Sequence, residues 1–394
     1  MTTSAPIYIQ DLNAICSLGN GMTAIAAHLF TPSATDFGGM SEQYSAGKPM
    51  YLSGAPSTCA LPADTPLAFH SRNNGLMYQT FQAIKDSWHA ATASCAPTRI
   101  GIVVGSSNSG IEQGELALAK LHATQALPAG YLYEQQEYGS PALYLKYLLQ
   151  TSGPAYTIST ACSSSAKAFI SGARLIQAGL CDVVLVGGSD ALSQLTVNGF
   201  MSLEAISAAR SLPFSANRSG IHLGEACALF ILSRMPSAVE LRGWGESADA
   251  HHMSAPQPDG NGAFASMSQA LHKAGLDASQ IDYINLHGTA TAQNDAMEAA
   301  AVSRVFPSQP WAGSTKSLTG HTLGAAGAIE AAFCYLTLTA QNQRLPAHVW
   351  DGVRDSRLPE LRFVTDATRA HARYVLSNSF GFGGSNASLI FARV

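Results

Sequence analysis

Short runs of hydrophobic residues alternate along the chain with longer segments of helical periodicity. Residues 100–104 and 183–186 are apolar runs of strand length, and residues 283–286 form another short run. The segment from residue 110 to 124 has hydrophobic residues at helical spacing, and a helical pattern rich in alanine and serine ends at residue 177. Strands that alternate with helices favour parallel sheets covered by helices, so the pattern predicts an α/β protein.

The composition agrees with a large folded core. Of the 394 residues, 46% are hydrophobic and only 12% are charged, and a chain of this length can bury a large core. Lys167, Arg174, Gln177 and Asp182 interrupt the longest apolar stretches, and residues 1–9 lack the basic and apolar regions of a signal peptide. We therefore expect no membrane span and a cytoplasmic location. The net charge of −4 gives no support to nucleic-acid binding.

The cysteines indicate neither a disulfide framework nor a zinc site. Seven cysteines are an odd number, they are scattered along the chain, and no two of them form a Cys-x-x-Cys pair. We therefore expect a reducing compartment, and each cysteine has to be considered by itself.

Cys162 stands between an extended segment that ends at residue 159 and the helical pattern that follows. A thiol that caps a helix meets unpaired backbone N–H groups and partial positive charge, which favour the thiolate and can bind an oxyanion. This is the geometry of an acyl-transfer nucleophile. The alternative is that Cys162 is a small buried hydrophobic residue, as most free cysteines are.

Two downstream segments favour the catalytic interpretation of Cys162. His287 follows the apolar run at residues 283–286 and precedes a turn of small residues, so we expect it at a strand end. His321 opens a second helix of very small residues, in a setting that weakly repeats that of Cys162. The likeness suggests an internal duplication with Cys162 and His321 in matching places. By itself, a histidine at a strand end is more often a hydrogen-bonded structural residue than a catalyst.

Six motifs carry a resemblance to a known family. They are TACSSS at residues 160–165, GGSD at 187–190, GEA at 224–226, HGTAT at 287–291, KSLTGHTLGAAG at 316–327 and NSFGFGGSN at 378–386. In this order they resemble the elongating β-ketoacyl-acyl carrier protein synthases, the condensing enzymes of type II fatty acid and polyketide pathways. The resemblance implies an α/β thiolase-like fold, a five-layer αβαβα sandwich built from two duplicated halves.

No linker rich in proline, serine or charge divides the chain. We place the junction of the two halves near residue 240. The N-terminal half, residues 1–240, carries the nucleophile, and the C-terminal half, residues 241–394, carries both histidines. The loop at residues 247–262, which contains two prolines and two glycines, is the nearest feature to a boundary.

The resemblance also implies a division of catalytic roles. Cys162 would hold the acyl group as a thioester, and the backbone N–H groups of Cys162 and Phe382 would bind the oxyanion. His287 and His321, both neutral, would donate hydrogen bonds to the enolate oxygen that forms when the malonyl group loses CO₂. Lys316 would supply a nearby positive charge that holds the protonation and orientation of the histidines. Taken alone, Lys316 would be a solvated lysine and Phe382 a core aromatic residue.

Four further residues are candidate substrate contacts. Thr289 and Thr291 resemble the family's hydroxyl donors to the phosphopantetheine arm, and Gly383 lies in a glycine loop whose backbone can approach and move. Asn108 follows two serines where housekeeping relatives carry glycine and apolar residues. Beside an acyl tunnel, these polar side chains would favour conjugated or aryl-bearing chains. The alternative is that they cap the next helix or bind the backbone.

Some positions depart from the family's pattern or carry no catalytic role in it. The run at residues 212–220 keeps Arg218 but lacks two acidic positions of the family, and His222 replaces an apolar or aromatic residue. The adjacent His251 and His252 point apart on most backbones and have no third ligand at suitable spacing. We expect no metal there, and this segment resembles the family's second gating loop. Two other polar residues are expected to hold the fold together, with a bound monovalent cation as a further option; they are Glu330 and Asn378.

We therefore expect an acyltransferase, a 3-oxoacyl-[acyl-carrier-protein] synthase, that condenses an acyl group held on Cys162 with malonyl-acyl carrier protein. Its partners would be the acyl carrier protein and a second subunit, in a homodimer or in a heterodimer with a ketosynthase-like or chain-length-factor subunit. It would need no cofactor beyond the phosphopantetheine that the carrier brings. An aryl polyene pathway is favoured over housekeeping fatty acid synthesis. The alternatives are a noncatalytic chain-length-factor-like subunit, in which the nucleophile is usually lost, and a thiolase, which uses a second cysteine late in the chain.

Overall fold

The computed structural model describes residues 5–31, 36–341, 343–366 and 368–394. The strands are β1 Tyr8–Cys16, β2 Gly19–Asn20, β3 Gly39–Ser41, β4 Met50–Ser53, β5 Ile100–Gly105, β6 Ala155–Ile158, β7 Val183–Asp190, β8 Leu223–Gly224, β9 Ala226–Ser233, β10 Val239–Ala248, β11 Tyr283–Asn285, β12 Trp311–Gly313, β13 Arg362–Phe363, β14 Tyr374–Gly381 and β15 Ser385–Arg393. The α-helices are α1 Met22–Leu29, α2 Arg72–Gln82, α3 Lys85–Thr92, α4 Ile111–Thr124, α5 Ser140–Leu149, α6 Ser164–Gln177, α7 Gln194–Ser202, α8 Asn261–Ala274, α9 Ala292–Val305, α10 Lys316–Thr319 and α11 Ala326–Thr339.

Two sets of strands repeat one pairing pattern. In the first set β6, β5 and β7 are parallel, and β9 and β1 follow in antiparallel order. In the second set β13, β12, β11 and β14 are parallel, and β15 and β10 follow in antiparallel order. The sets meet where β1 pairs with β10 through only two residue pairs. This repetition is what a duplicated chain would produce.

Helices cover the outer faces of these two sets of strands and also lie between the sets. Helices α6 and α11 pack against each other, α6 on β5 and β7 and α11 on β14 and β9, and their small residues let the layers approach closely. Helices α2, α3 and α5 cover one outer face, and α8 and α9 cover the other. The five-layer αβαβα sandwich expected from the sequence is therefore confirmed.

The layers place the chemistry between them, because the central helices begin close to the predicted residues. Helix α6 begins two residues after the nucleophile, and α11 begins five residues after His321, with a short 3-10 turn at Leu323–Ala325 before it. The predicted strands and helices occur close to their expected bounds, for example β5 at Ile100–Gly105 and α4 at Ile111–Thr124. The division into halves at residue 240 stays a prediction. In the part of the chain that the structure describes, no helix is both long and apolar enough to cross a membrane.

Candidate active site

Cys162 lies in a tight turn between strand β6 and helix α6. The helix begins at Ser164 and its N-cap is Ser163, so Cys162 precedes the helix rather than capping it. Ala161 has a φ of 51°, in the left-handed region that side-chain-bearing residues seldom adopt, so the backbone turns sharply just before the thiol. The sulfur still lies at the N-terminal end of a 14-residue helix.

His321 and His287 converge on this sulfur. Nε2 of His321 is 2.9 Å from Sγ of Cys162. The two imidazole rings have centroids 5.3 Å apart and are nearly perpendicular, at 84°. One ring nitrogen of each histidine and the sulfur all lie within 4.8 Å of one another. The structure therefore brings together, in the protein interior, three side chains that are far apart in the sequence.

The Cys162 thiol is protonated in the resting site. Burial raises its pKa to about 11, against the smaller lowering effects of the Lys316 charge and of the backbone N–H of Phe382. The position at a helix N-terminus predicted a preference for the thiolate, but in the folded protein desolvation is the larger effect. Attack on a thioester therefore needs a base, and Nε2 of His321 is within hydrogen-bond reach.

Lys316 contacts both the backbone and the ring of His287. Its ammonium donates to the backbone carbonyl of His287, lies 3.4 Å from Nδ1 of the same residue, and forms an ion pair with Glu330. Because an ammonium can only donate, Nδ1 of His287 must accept, and the ring proton is assigned to Nε2. This tautomer leaves an N–H available to donate to a substrate oxygen.

Both histidines are neutral over the physiological pH range. Burial lowers the pKa of His287 and of His321 well below the ordinary value for histidine, and the Lys316 charge lowers both further. A neutral imidazole can donate one hydrogen bond to a developing oxyanion. Because it carries no charge, it forms no ion pair with a substrate carboxylate that must leave as CO₂.

Glu298 fixes the backbone at His287, a role that was not predicted from the sequence. Its carboxylate accepts hydrogen bonds of 2.7 Å from the N–H of His287 and 2.7 Å from the N–H of Gly288, and Asn378 also donates to it. Burial raises the pKa of Glu298 to about 7. The sequence signal was a pair of carboxylates three residues apart in α9, Asp295 and Glu298, with nothing to show which of them reaches His287.

The loop that carries Phe382 closes the site from the other side. The backbone N–H of Phe382 faces the sulfur of Cys162, and the ring of Phe382 packs against Phe200 with centroids 5.5 Å apart. Gly383 has a φ of 81°, which favours glycine. A Cβ on Gly381 would lie 2.8 Å from a carbonyl oxygen of the nucleophile turn. The glycines therefore allow this loop to approach Cys162 closely.

A cavity of about 200 Å³ opens onto these groups. Of the residues that the sequence predicted, it is lined by Cys162, His287, His321, Phe382, Thr289 and Thr291, and His252 also lies on its wall. The hydroxyls of Thr289 and Thr291 are 3.1 Å apart. The Thr291 oxygen also accepts the N–H of Asn294 as the N-cap of α9, so this hydroxyl has a structural task besides any contact with substrate.

The polar segment at residues 106–108 lies elsewhere. Ser106 and Ser107 donate their hydroxyls to the buried Asp190 carboxylate, and the Asn108 amide donates to the carbonyl of Ala191. Asn108 is not among the residues that line the cavity of Cys162. The contacts favour the backbone and side-chain bonding that the sequence left open, and a substrate contact by Asn108 stays a prediction.

The donor atoms of the Cys162 site are also of the types that bind zinc. The Lys316 ammonium contacts one of these histidines, His287. Its positive charge would repel a zinc ion bound beside it. His251 and His252 are exposed, and Nδ1 of His252 accepts a 3.2 Å hydrogen bond from the N–H of Ser254. We therefore interpret the three side chains as a nucleophile with two hydrogen-bond donors.

Comparisons with known proteins agree with this geometry. Residues 74–238 match the family model "Beta-ketoacyl synthase, N-terminal domain", and residues 238–349 match "Beta-ketoacyl synthase, C-terminal domain". A putative mitochondrial 3-oxoacyl-[acyl-carrier-protein] synthase of Schizosaccharomyces pombe is 34% identical over 84% of this chain and 81% of its own length. The mitochondrial synthase of Arabidopsis thaliana is 38% identical over 64% of this chain, and the match spans 58% of that protein.

A solved structure is similar over the whole chain. It is that of the ketosynthase ApeO in complex with its chain length factor ApeC, from Xenorhabdus doucetiae. The match has a TM-score of 0.94 and 40% identity, and it covers 100% of this chain and 99% of that one. The family matches cover well over half of the sequence. The chain therefore belongs to the β-ketoacyl synthase family.

Proposed function

We propose that this protein is a 3-oxoacyl-[acyl-carrier-protein] synthase that joins an acyl thioester to a malonyl thioester with loss of CO₂. The observation that carries the proposal is the 2.9 Å contact between Sγ of Cys162 and Nε2 of His321, with His287 and the Phe382 N–H beside it. A noncatalytic chain-length-factor-like role is disfavoured, because such a role needs neither the thiol nor its base. The thiolase alternative is disfavoured because the cavity is lined by Cys162 and by no second cysteine of the described chain.

In the first half-reaction the acyl group moves to Cys162. The thiol proton passes to Nε2 of His321 as the sulfur attacks the thioester carbonyl, and the C–S bond to the incoming carrier breaks. The departing pantetheine thiolate then takes that proton from His321. The backbone N–H groups of Cys162 and Phe382, which already face the sulfur, stabilise the tetrahedral oxyanion.

In the second half-reaction the malonyl thioester loses CO₂. The electron pair of the broken C–C bond moves onto the thioester oxygen, and the Nε2–H groups of His287 and His321 stabilise the resulting enolate. For this step His321 changes from the tautomer that accepts the thiol proton to the one that carries its proton on Nε2. The enolate carbon attacks the acyl group on Cys162, a C–C bond forms, and the Cys162 thiolate leaves and is protonated from solvent. Neutral histidines suit this step, since an imidazolium would hold the malonyl carboxylate as an ion pair.

An acyl carrier protein is the proposed donor of both thioesters. Curated relatives at 32–38% identity carry that carrier in their names, and the hydroxyls of Thr289 and Thr291 line the way to Cys162, where a phosphopantetheine amide can accept from them. The protein would then need no cofactor of its own.

We also propose a heterodimer with a chain-length-factor-like subunit. Strand β6 pairs with β5 and lies at the end of the sheet, so one edge carries unpaired backbone groups. Large hydrophobic residues are exposed on this strand and on the preceding segment: Leu116, Leu118, Leu127, Tyr133, Tyr138, Leu143, Tyr147 and Tyr156. The Xenorhabdus ketosynthase of the solved complex has a chain length factor as its partner. Light scattering of this chain, alone and co-expressed with such a subunit, separates a heterodimer from a homodimer, and a stable active monomer would contradict both.

A specialised pathway, of the aryl polyene type, is proposed over housekeeping synthesis, supported by the 40% identity to a chain of a ketosynthase and chain length factor complex. Mass spectrometry of the acyl group trapped on Cys162, from a panel of acyl carrier proteins, tests both the activity and the pathway. Trapping of aryl or polyunsaturated chains ahead of saturated ones is expected. Absence of any acyl adduct would overturn the proposed function, and preference for saturated chains would overturn the pathway alone.

A further inference from the structure

His222 joins three separate segments of the chain around the active site. Its Nδ1 accepts a 3.0 Å hydrogen bond from the N–H of Ser211, and the hydroxyl of Ser211 is 2.6 Å from the same nitrogen. Its Nε2 is 3.1 Å from the hydroxyl oxygen of Ser53 on β4. Because a backbone N–H can only donate, Nδ1 must accept, so the ring proton lies on Nε2 and is donated to Ser53. The ring is fully buried, with 0% exposure.

The backbone of the same residue holds His321. The carbonyl of His222 accepts a 2.8 Å hydrogen bond from the N–H of His321, and the N–H of Gly224 donates to the carbonyl of His321 at 3.1 Å. Leu223 thereby pairs with His321 as a short parallel bridge. The neighbouring Ile221 lines the cavity of Cys162. A shift of this short segment would therefore move both a wall of the cavity and the base that contacts the thiol.

The segment 221–224 is closely packed, so its position depends mainly on the His222 side chain. A Cβ on Gly224 would lie 2.0 Å from the carbonyl oxygen of Thr319, so the segment already touches the chain just before His321. Burial lowers the pKa of His222 to about 3, which keeps the imidazole neutral and its two hydrogen bonds in place across the working pH range.

We propose that His222 is a positioning residue for His321: its imidazole fixes the segment 221–224 between Ser53 and Ser211 and so sets the distance from His321 to Cys162 and to the enolate oxygen. This proposal rests on the proposed condensation and adds a residue to it. A core histidine that only stabilises the fold would have a different effect on the kinetics.

The variant that tests this is His222→Leu, which has similar volume and neither hydrogen bond. We expect kcat for decarboxylation of malonyl-acyl carrier protein to fall by about tenfold or more, since small displacements of catalytic groups are costly, with KM little changed. Ser53→Ala should cause a smaller loss. The double variant should be no slower than His222→Leu alone, because both changes remove the same hydrogen bond between His222 and Ser53.

Ile231→Ala, in the buried part of β9, serves as the control for lost stability. At an equal loss of unfolding free energy it should keep the wild-type kcat. If His222→Leu does not fold, His222→Asn, which keeps an acceptor at the Nδ1 position, and His222→Gln, which keeps a donor at the Nε2 position, give the same test together with Ser53→Ala.

Wild-type kcat in a folded His222→Leu would overturn the positioning role. Where that variant does not fold, wild-type kcat in both His222→Asn and His222→Gln, each of which loses one of the two hydrogen bonds, would do the same, as would an equal loss of kcat in Ile231→Ala. Additive effects of His222→Leu and Ser53→Ala would also count against it. A wild-type protein that does not decarboxylate malonyl-acyl carrier protein would instead overturn the proposed function, and this proposal with it, so the two failures are distinguished by the wild-type assay.

Discussion

Lys316 and Glu330 form an ion pair in the protein interior, and each side chain is only 2% exposed. Lys316 uses its other hydrogen bonds on the carbonyl and Nδ1 of His287. Burial raises the pKa of Glu330 to about 7, and the Lys316 charge opposes that rise. The pair therefore places a fixed positive charge beside the two histidines without leaving that charge uncompensated.

Removal of this pair should make decarboxylation sensitive to pH. In the double variant Lys316→Met/Glu330→Gln the pKa values of His287 and His321 should rise, because a nearby positive charge that lowers them is gone. Imidazolium then forms as the pH falls and holds the malonyl carboxylate. As the pH is lowered from 8, we expect kcat to begin to fall at a higher pH in the variant than in the wild type, although burial still lowers both pKa values in the variant. Parallel pH profiles for both proteins would contradict the electrostatic role of Lys316.

Cys162→Ala should abolish condensation and leave the fold intact, since a small residue is tolerated in that turn. Acyl transfer from labelled acyl carrier protein and the temperature of unfolding measure the two effects separately. Elongation by the Ala variant above a trace rate would mean that Cys162 is not the nucleophile.

The reactivity of Cys162 should show its raised pKa. With a pKa of about 11, the thiolate is a minor species at neutral pH, so alkylation by iodoacetamide should rise about tenfold per pH unit between pH 7 and 9. The Cys162→Ala variant gives the background from the other cysteines, of which Cys95 is only partly buried. A rate that is already level at pH 7 would indicate a stabilised thiolate instead.

The alternation of strands and helices predicted the α/β class, and the resemblance carried by six motifs implied the five layers and the roles of the three central side chains. Cys162, His287 and His321 each stand at an element boundary inside a motif, and such boundaries meet between the layers of this fold. What the sequence did not predict depends on burial and on long-range contacts. The pKa of Cys162 is set by desolvation, which no motif encodes, and Glu298 acts through backbone bonds that only the folded chain reveals.

Asn108 is a residue for which the sequence could not decide between two roles. A polar residue after strand β5 is equally consistent with a substrate contact and with a structural bond, since sequence spacing does not say which way the side chain faces. The fold places the Asp190 carboxylate and the Ala191 carbonyl beside this segment. Those two groups lie more than eighty positions later in the chain, beyond the reach of any local pattern.

Substitution of the two histidines should separate the half-reactions. His287→Ala and His321→Ala should each slow decarboxylation by about a hundredfold or more, as expected for the loss of one oxyanion donor. Acyl transfer should survive better in His287→Ala, because His321 and not His287 is hydrogen bonded to the Cys162 sulfur. Radiolabelled acyl transfer and CO₂ release measure the two steps. Wild-type decarboxylation in either variant would contradict its donor role.

Glu298 should make folding stability depend on pH. Its pKa is about 7 in the folded protein, against 4.5 for an ordinary glutamate, and burial is the main cause. Between these two values the folded state keeps a proton that the unfolded state has released, so this residue's contribution to the unfolding free energy falls as the pH rises from 4.5 to 7.

In Glu298→Gln that contribution is absent, and the free energy of unfolding should fall less over this window than in the wild type. The remaining dependence would come from other buried carboxylates with raised pKa values, such as Asp295 and Glu330. Urea unfolding at pH 5 and at pH 7.5 measures the difference, with the exposed Glu134→Gln as the control for lost charge. An equal fall in the wild type and in Glu298→Gln would show that Glu298 is ionised throughout, held by its hydrogen bonds to His287 and Gly288.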